Sequence, residues 1–181
     1  GVAFRYSIDG DENTDLSISS EHTGVRLPDG AYTWAMNYSQ SNEDVEIEHA
    51  SIKELNYQYS MPLLYETEDD VFALVNEADL NGTYCGAQMT GDGTGLLNIV
   101  FTPEQTDDVE TTLPFASPWR YIVIGDLQTI TNNTLAESLA PASKVEDTSW
   151  IEAGTVDWTW LNGDLRHDQL PDGVSFETAG L

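Results

Sequence analysis

The sequence predicts a mainly β protein, arranged as an antiparallel β-sandwich. Three observations predict it. Apolar residues alternate with polar ones at period two along most of the chain, turn signals separate these stretches, and almost no long stretch carries a helical 3.6-residue period. Taken in order, Val2, Phe4, Tyr6 and Ile8 fall on one face of a first strand that ends at Asp9-Gly10-Asp11, and Leu16 and Ile18 mark a short second one. Pro28-Asp29-Gly30 is a turn, because proline fixes φ and glycine accepts a positive one. Tyr32, Trp34, Met36 and Tyr38 alternate next. An acidic stretch over 42–48 follows, and then Leu55, Tyr57, Tyr59 and Met61. The run Val71-Phe72-Ala73-Leu74-Val75 is apolar on both faces, as a strand covered on two sides must be. Thr90-Gly91-Asp92-Gly93-Thr94-Gly95 turns the chain into Leu96–Phe101, and Tyr121–Ile124 reads as another central strand. Residues 126–139 form a modest helical candidate, with Leu127, Ile130, Leu135 and Leu139 loosely spaced. Val156–Leu161 reads as a last strand. The character of the chain shifts near residue 150, which puts a boundary between Pro141 and Trp150.

Composition narrows the function classes. Hydrophobic residues make up 40% of the chain, enough for a real core, and no run approaches the roughly 18 apolar residues of a membrane helix. Six basic residues face 32 acidic ones, for a formal charge of −26. Such a surface repels nucleic acid and anionic membranes, so neither is expected as a partner. The acids are spread along the chain and only Lys53 and Lys144 are lysines, the balance of a protein from a high-salt environment. Cys85 is the single cysteine, so no intrachain disulfide can form, and a buried small hydrophobe is its expected role. The chain opens in strand-like sequence without an initiator Met, so a processed, trimmed or artificially numbered N-terminus is expected.

Four separated segments carry a family resemblance: Gly1-Val2-Ala3-Phe4-Arg5-Tyr6, Asn76-Glu77-Ala78-Asp79-Leu80, Ser117-Pro118-Trp119-Arg120, and Asp147-Thr148-Ser149-Trp150-Ile151 with Gly154 and Trp158-Thr159-Trp160. In this order and spacing they resemble glycoside hydrolase family 97, with Leu161 and Ala153-Gly154 departing from its pattern. The resemblance implies a sandwich of the super-sandwich type over 1–145, part of an N-terminal domain. Residues 146–181 would then be a linker and the first strand of a catalytic (β/α)8 barrel. The implied activity is calcium-dependent hydrolysis of α-glucosides or α-galactosides, with an oligosaccharide or other α-glycoside as substrate. The catalytic carboxylate pair belongs to the barrel and is expected beyond Leu181. The family works commonly outside the cytoplasm, so a periplasmic or secreted location is expected. Two other readings stand beside this one, a non-catalytic carbohydrate-binding sandwich module and an acidic surface domain of a halophile. Open sandwich edges should be covered by the rest of the same protein or by a partner chain.

The resemblance also implies site residues. A glutamate of the N-terminal domain helps ligate Ca2+, and Glu77 matches it by position, a role that suits a cation taking six to eight oxygens. Trp158 and Trp160 share a face by alternation and are candidates for substrate binding at the barrel mouth, with barrel-core packing the competing role. Elsewhere the residues favour plainer roles. The segment Asp9-Gly10-Asp11-Glu12-Asn13-Thr14-Asp15 starts like a calcium loop, but Thr14 replaces the required glycine and Ser20 the final glutamate, so an acidic hairpin turn is expected. His22, His49 and His167 have no metal-ligand spacing. Trp34, Trp119 and Trp150 are expected in core or interdomain packing.

Overall fold

The computed structural model describes residues 1–42, 45–67 and 69–155. The strand expected at Val156–Leu161, His167, the tryptophans Trp158 and Trp160 and the proposed first barrel strand lie outside the described residues. The elements in chain order are β1 (Val2–Phe4), β2 (Ser7–Ile8), β3 (Asp15–Ile18), β4 (Thr23–Arg26), β5 (Tyr32–Met36), β6 (Ile47–Ser51) and a 3-10 turn (Ile52–Glu54). They continue with β7 (Gln58–Tyr59), β8 (Leu63–Glu66), β9 (Phe72–Ala78), β10 (Ala87–Gly91) and β11 (Leu96–Phe101). The last are β12 (Val109–Thr112), β13 (Phe115–Ala116), β14 (Trp119–Gly125), α1 (Leu127–Thr131) and α2 (Leu135–Leu139).

The fold is an antiparallel β-sandwich. A six-stranded sheet in the order β1-β14-β9-β8-β5-β6 faces a four-stranded sheet in the order β4-β11-β10-β7. The main core lies between them. Ala35, Leu63, Tyr65, Ala73 and Val75 of the larger sheet meet Val25, Tyr59, Met89, Leu97 and Ile99 of the smaller one. Alternation explains the choice: every second residue of β8 and β9 points inward, and the residues between point out. On the outer face of the larger sheet α1 and α2 bring Ile130, Leu135 and Leu139 onto Leu74, Tyr121 and Val123. The first half of strand β9 is thus covered on both sides, which is why Phe72-Ala73-Leu74-Val75 is apolar without interruption. Gly91 is needed where β10 meets the turn after Ile52–Glu54, since a Cβ there would stand 2.3 Å from the Leu55 carbonyl oxygen.

Several local expectations change. Residues 2–8 form two strands, not one: β1 pairs with β14 and β2 with β13, and the chain switches partners at Arg5-Tyr6. The side chains of Val2, Phe4, Tyr6 and Ile8 are exposed: β1 is the edge of the larger sheet, and β2 belongs to a separate two-stranded pair. The acidic turn after Ile8 closes no hairpin, since β2 and β3 belong to separate two-stranded pairs with β13 and β12. Only Gln58–Tyr59 of the alternating 55–61 segment is a strand, with Leu55 and Tyr59 buried and Tyr57 exposed. The helical candidate splits into α1 and α2 around Asn132-Asn133-Thr134, residues that favour caps over helix interiors, and Asp126 caps α1 by accepting the Thr129 N–H.

By contact pattern the chain divides into two units, Gly1–Ala142 and Ser143–Leu181. The described part of the second unit is exposed. Trp150 is 71% accessible there, with its Nε1 donating to the Asp147 carbonyl, so within this unit it is not a core residue.

Candidate functional site

Arg120 is the centre of a buried charge cluster. The strand Trp119-Arg120-Tyr121-Ile122-Val123 sends alternate residues to opposite faces, which puts Arg120 on the inner side of β14, where it is 1% exposed. Its neighbour in register on β9 is Glu77, and Nη1 donates to Glu77 Oε2 at 2.5 Å. The other side of the guanidinium meets Glu21, in the segment between β3 and β4. Nε donates to Oε1 at 2.9 Å and Nη2 to Oε2 at 2.6 Å, a bidentate fork matched to the planar shape of both groups. Glu21 is held further by the Thr23 hydroxyl at 2.7 Å and the Tyr84 hydroxyl at 3.0 Å. Tyr6 and Thr23 exchange a hydrogen bond of 3.0 Å beyond that. A cavity of about 290 Å3 lies beside Glu21, lined also by Tyr6, Ile8, Ile18, Tyr84 and Phe115.

The two carboxylates are not equivalent. Glu21 has four donors across its two oxygens, whereas Glu77 has the Arg120 N–H and, on Oε1, only a long 3.4 Å contact from the Ala87 amide. Burial pushes both acids up. For Glu21 the Arg120 fork, together with Thr23 and Tyr84, outweighs burial and holds the carboxyl below its ordinary range. For Glu77 burial wins, aided by the nearby Glu21 charge, and its carboxyl is raised despite Arg120. Burial lowers the Arg120 value too, but the two carboxylates more than reverse it, so the guanidinium stays charged. Two carboxylates on one guanidinium leave one negative charge uncompensated in a buried place. Such a cluster contributes little net stability by itself, because desolvation offsets the attraction.

Of the residues singled out in the sequence, Glu77 lies in this cluster, 12% exposed at the end of β9. Asp79 of the same segment pairs with Arg5 at 3.7 Å, and Arg5 also stands over the Trp119 ring at 4.6 Å. Cys85 is half-buried and burial pushes its thiol up, in line with an inert side chain. Glu21 was not singled out, and Arg120 only as part of its segment. The signal that could have found them is a lone arginine inside an apolar strand, which demands an acidic partner once buried.

Among the described residues no group of three or more His, Cys, Asp or Glu side chains is arranged to hold a metal ion. These residues therefore do not make a complete calcium site. They do fit a smaller role: Glu77 Oε1 retains acceptor capacity, and the cluster's surplus negative charge suits one carboxylate ligand shared with donors from elsewhere.

Comparison with known proteins agrees with this architecture. The chain is 35% identical over 164 residues to a probable retaining alpha-galactosidase from Streptomyces bingchenggensis (strain BCW-1), covering 90% of this chain and 25% of that protein. A β-arabinopyranosidase crystal structure matches 74% of the chain and 25% of its own, with TM-score 0.57 and 25% identity. The glycoside hydrolase family 97 enzyme from Pseudoalteromonas sp. strain K8 in complex with acarbose matches 83% of the chain and 23% of its own. Its TM-score is 0.69 at 21% identity, a likeness of fold. The chain thus spans about a quarter of the length of these relatives. Residues 1–141 match the family model described as Glycosyl-hydrolase 97 N-terminal, and the chain belongs to that glycoside hydrolase family, with residues 1–141 carrying N-terminal-domain sequence folded as a β-sandwich.

Proposed function

We propose that the intact protein is a calcium-dependent α-glycosidase acting on α-galactosides or α-glucosides, to which this chain contributes the sandwich and one carboxylate, Glu77. The observation that carries the reading is the family match over 1–141, and the 35% identity to an α-galactosidase favours galactosides. Calcium is supported by chemistry: Glu77 is a partly exposed, under-neutralised acid whose charge a divalent cation would balance. Residues 146–181 belong in this reading to the linker and the start of the barrel, with Trp158 and Trp160 at its mouth. Hydrolysis itself needs two carboxyls, about 5–5.5 Å apart for retention or 6.5–9.5 Å for inversion. Neither comes from this chain in this reading; its residues hold the neighbouring charge and shape.

Assay of the full-length protein on nitrophenyl α-galactoside and α-glucoside tests the proposal. Release of nitrophenol from at least one of them, abolished by EDTA and restored by calcium, is the expected result. No release from either would sink it in favour of a non-catalytic carbohydrate-binding module.

We also read the dispersed acidic surface as an adaptation to high salt, on the charge of −26. From about 0.1 M to 1 M KCl the Debye length shrinks from roughly 10 Å to 3 Å, so self-repulsion falls and the melting temperature should climb. A melting temperature indifferent to KCl over that range would rule this out.

A further inference from the structure

On the outer face of the larger sheet α1 and α2 pack over β9 and β14, and among the described residues Tyr32 of β5 and Ile47 and His49 of β6 are exposed. Tyr32 and Trp34, two apart on β5, share this face, and register sets His49 of β6 beside Trp34 and Glu66 of β8 beside Tyr32. The His49 ring stacks on Trp34 with centroids 4.5 Å apart and planes at 30°, and it lies 5.3 Å from the Tyr32 ring. Tyr32 is 50% exposed at the end of this row. Beside the rings is a cavity of about 220 Å3 lined by Gly30, Tyr32, His49, Glu66, Thr67 and Asp70. Its lining joins an aromatic wall to two carboxylates and, among the described residues, includes no lysine or arginine.

From this arrangement we infer that the sandwich carries a surface site for neutral carbohydrate, separate from the Arg120 cluster. The half-exposed Tyr32 ring at the end of this stack accepts the apolar C–H face of a pyranose, and the Glu66 and Asp70 carboxylates accept hydrogen bonds from its hydroxyls. Sites of this kind pair an apolar platform with a few placed polar groups. At 220 Å3 the cavity is smaller than the roughly 300–1,000 Å3 of a drug-sized pocket, which suits one ring of a longer chain lying across the surface. Charge selects among ligands: two local carboxylates and a chain charge of −26 repel anionic sugars and polyanions. Membership of a glycoside hydrolase family makes carbohydrate the ligand class at hand, and the inference does not depend on which bond the intact protein cleaves.

Affinity electrophoresis of the full-length protein in gels containing soluble starch or galactomannan tests the site. Wild-type protein should be retarded by at least one polysaccharide. Tyr32→Ala should weaken that retardation about tenfold, the scale for truncating an exposed aromatic anchor. Glu66→Gln, which preserves shape, should weaken it as well, so a folding defect in the first variant leaves the test intact. Tyr57→Ala, an exposed tyrosine near the other sheet, should change nothing. Nitrophenyl glycoside hydrolysis should be the same in all four proteins, and its absence from all four would count against the proposed activity without touching this site. No retardation of wild type by either polysaccharide, or equal retardation of wild type, Tyr32→Ala and Glu66→Gln, would overturn the inference. So would sugar-independent dimerisation of the wild type that Tyr32→Ala abolishes, since the face would then belong to a second copy.

Discussion

Arg120→Leu is expected to destabilise the sandwich by about 3–5 kcal/mol, the scale for removing one partner of a buried ion pair. The size follows from what the substitution leaves behind. Glu21 loses both guanidinium bonds while remaining almost fully buried, and Glu77 loses its shortest contact. The hydroxyls of Thr23 and Tyr84 still reach Glu21, but they bring no positive charge. Both carboxyls would be driven to take up protons, so the loss should be largest at neutral pH and smaller in acid. Arg120→Lys should recover part of the stability, since one ammonium can reach either acid but cannot reproduce the fork. Chemical denaturation of the 181-residue chain measures both; a loss below about 1 kcal/mol for Arg120→Leu would mean that the two acids find other partners.

The fold was legible because β-sandwiches repeat one local rule many times. Period-two alternation marked β5, and short apolar runs marked β9, β11 and β14 and even the double coverage of β9, since each residue of a strand reports whether its side is buried. It failed at 2–8, where alternation is genuine but the strand changes partner at Arg5-Tyr6 and its apolar face stays open at an edge. Alternation records a side chain's face, not whether another layer covers that face. The division of 126–139 into two helices was hidden for a related reason: loose apolar spacing fits both one helix and two, and the Asn132-Asn133-Thr134 break is a matter of caps.

The site was legible only in part. Glu77 could be singled out because its segment resembles a family motif. Glu21 could not, because it sits in irregular chain between β3 and β4 and meets Arg120 across 99 residues of sequence. One acid among 32 carries no mark of its own. What distinguishes it is the pairing, which only the closed sandwich creates.

Glu77→Gln should largely spare folding while impairing function. In the 181-residue chain, burial raises the Glu77 carboxyl above the ordinary 4.5. The folded state therefore binds that proton more tightly than the unfolded one. The stability it confers is full below the ordinary value and is lost as pH rises through the folded value. Glu21 runs the other way: its lowered carboxyl stabilises the fold above the ordinary value, and that contribution disappears as pH falls through the folded value. Glutamine at 77 removes the first limb and keeps the second, so near neutral pH the variant should be far less destabilised than Arg120→Leu.

In the intact protein the same change removes a carboxylate from the proposed shared cation site. Outer groups that support a metal typically contribute 10–100-fold to its affinity, and a direct ligand should contribute at least as much. The most direct measurement is the calcium concentration that half-restores hydrolysis in EDTA-treated full-length protein, compared between wild type and Glu77→Gln. A rise of about 10–100-fold or more in the variant is the predicted result; an unchanged calcium dependence would contradict the role given to Glu77.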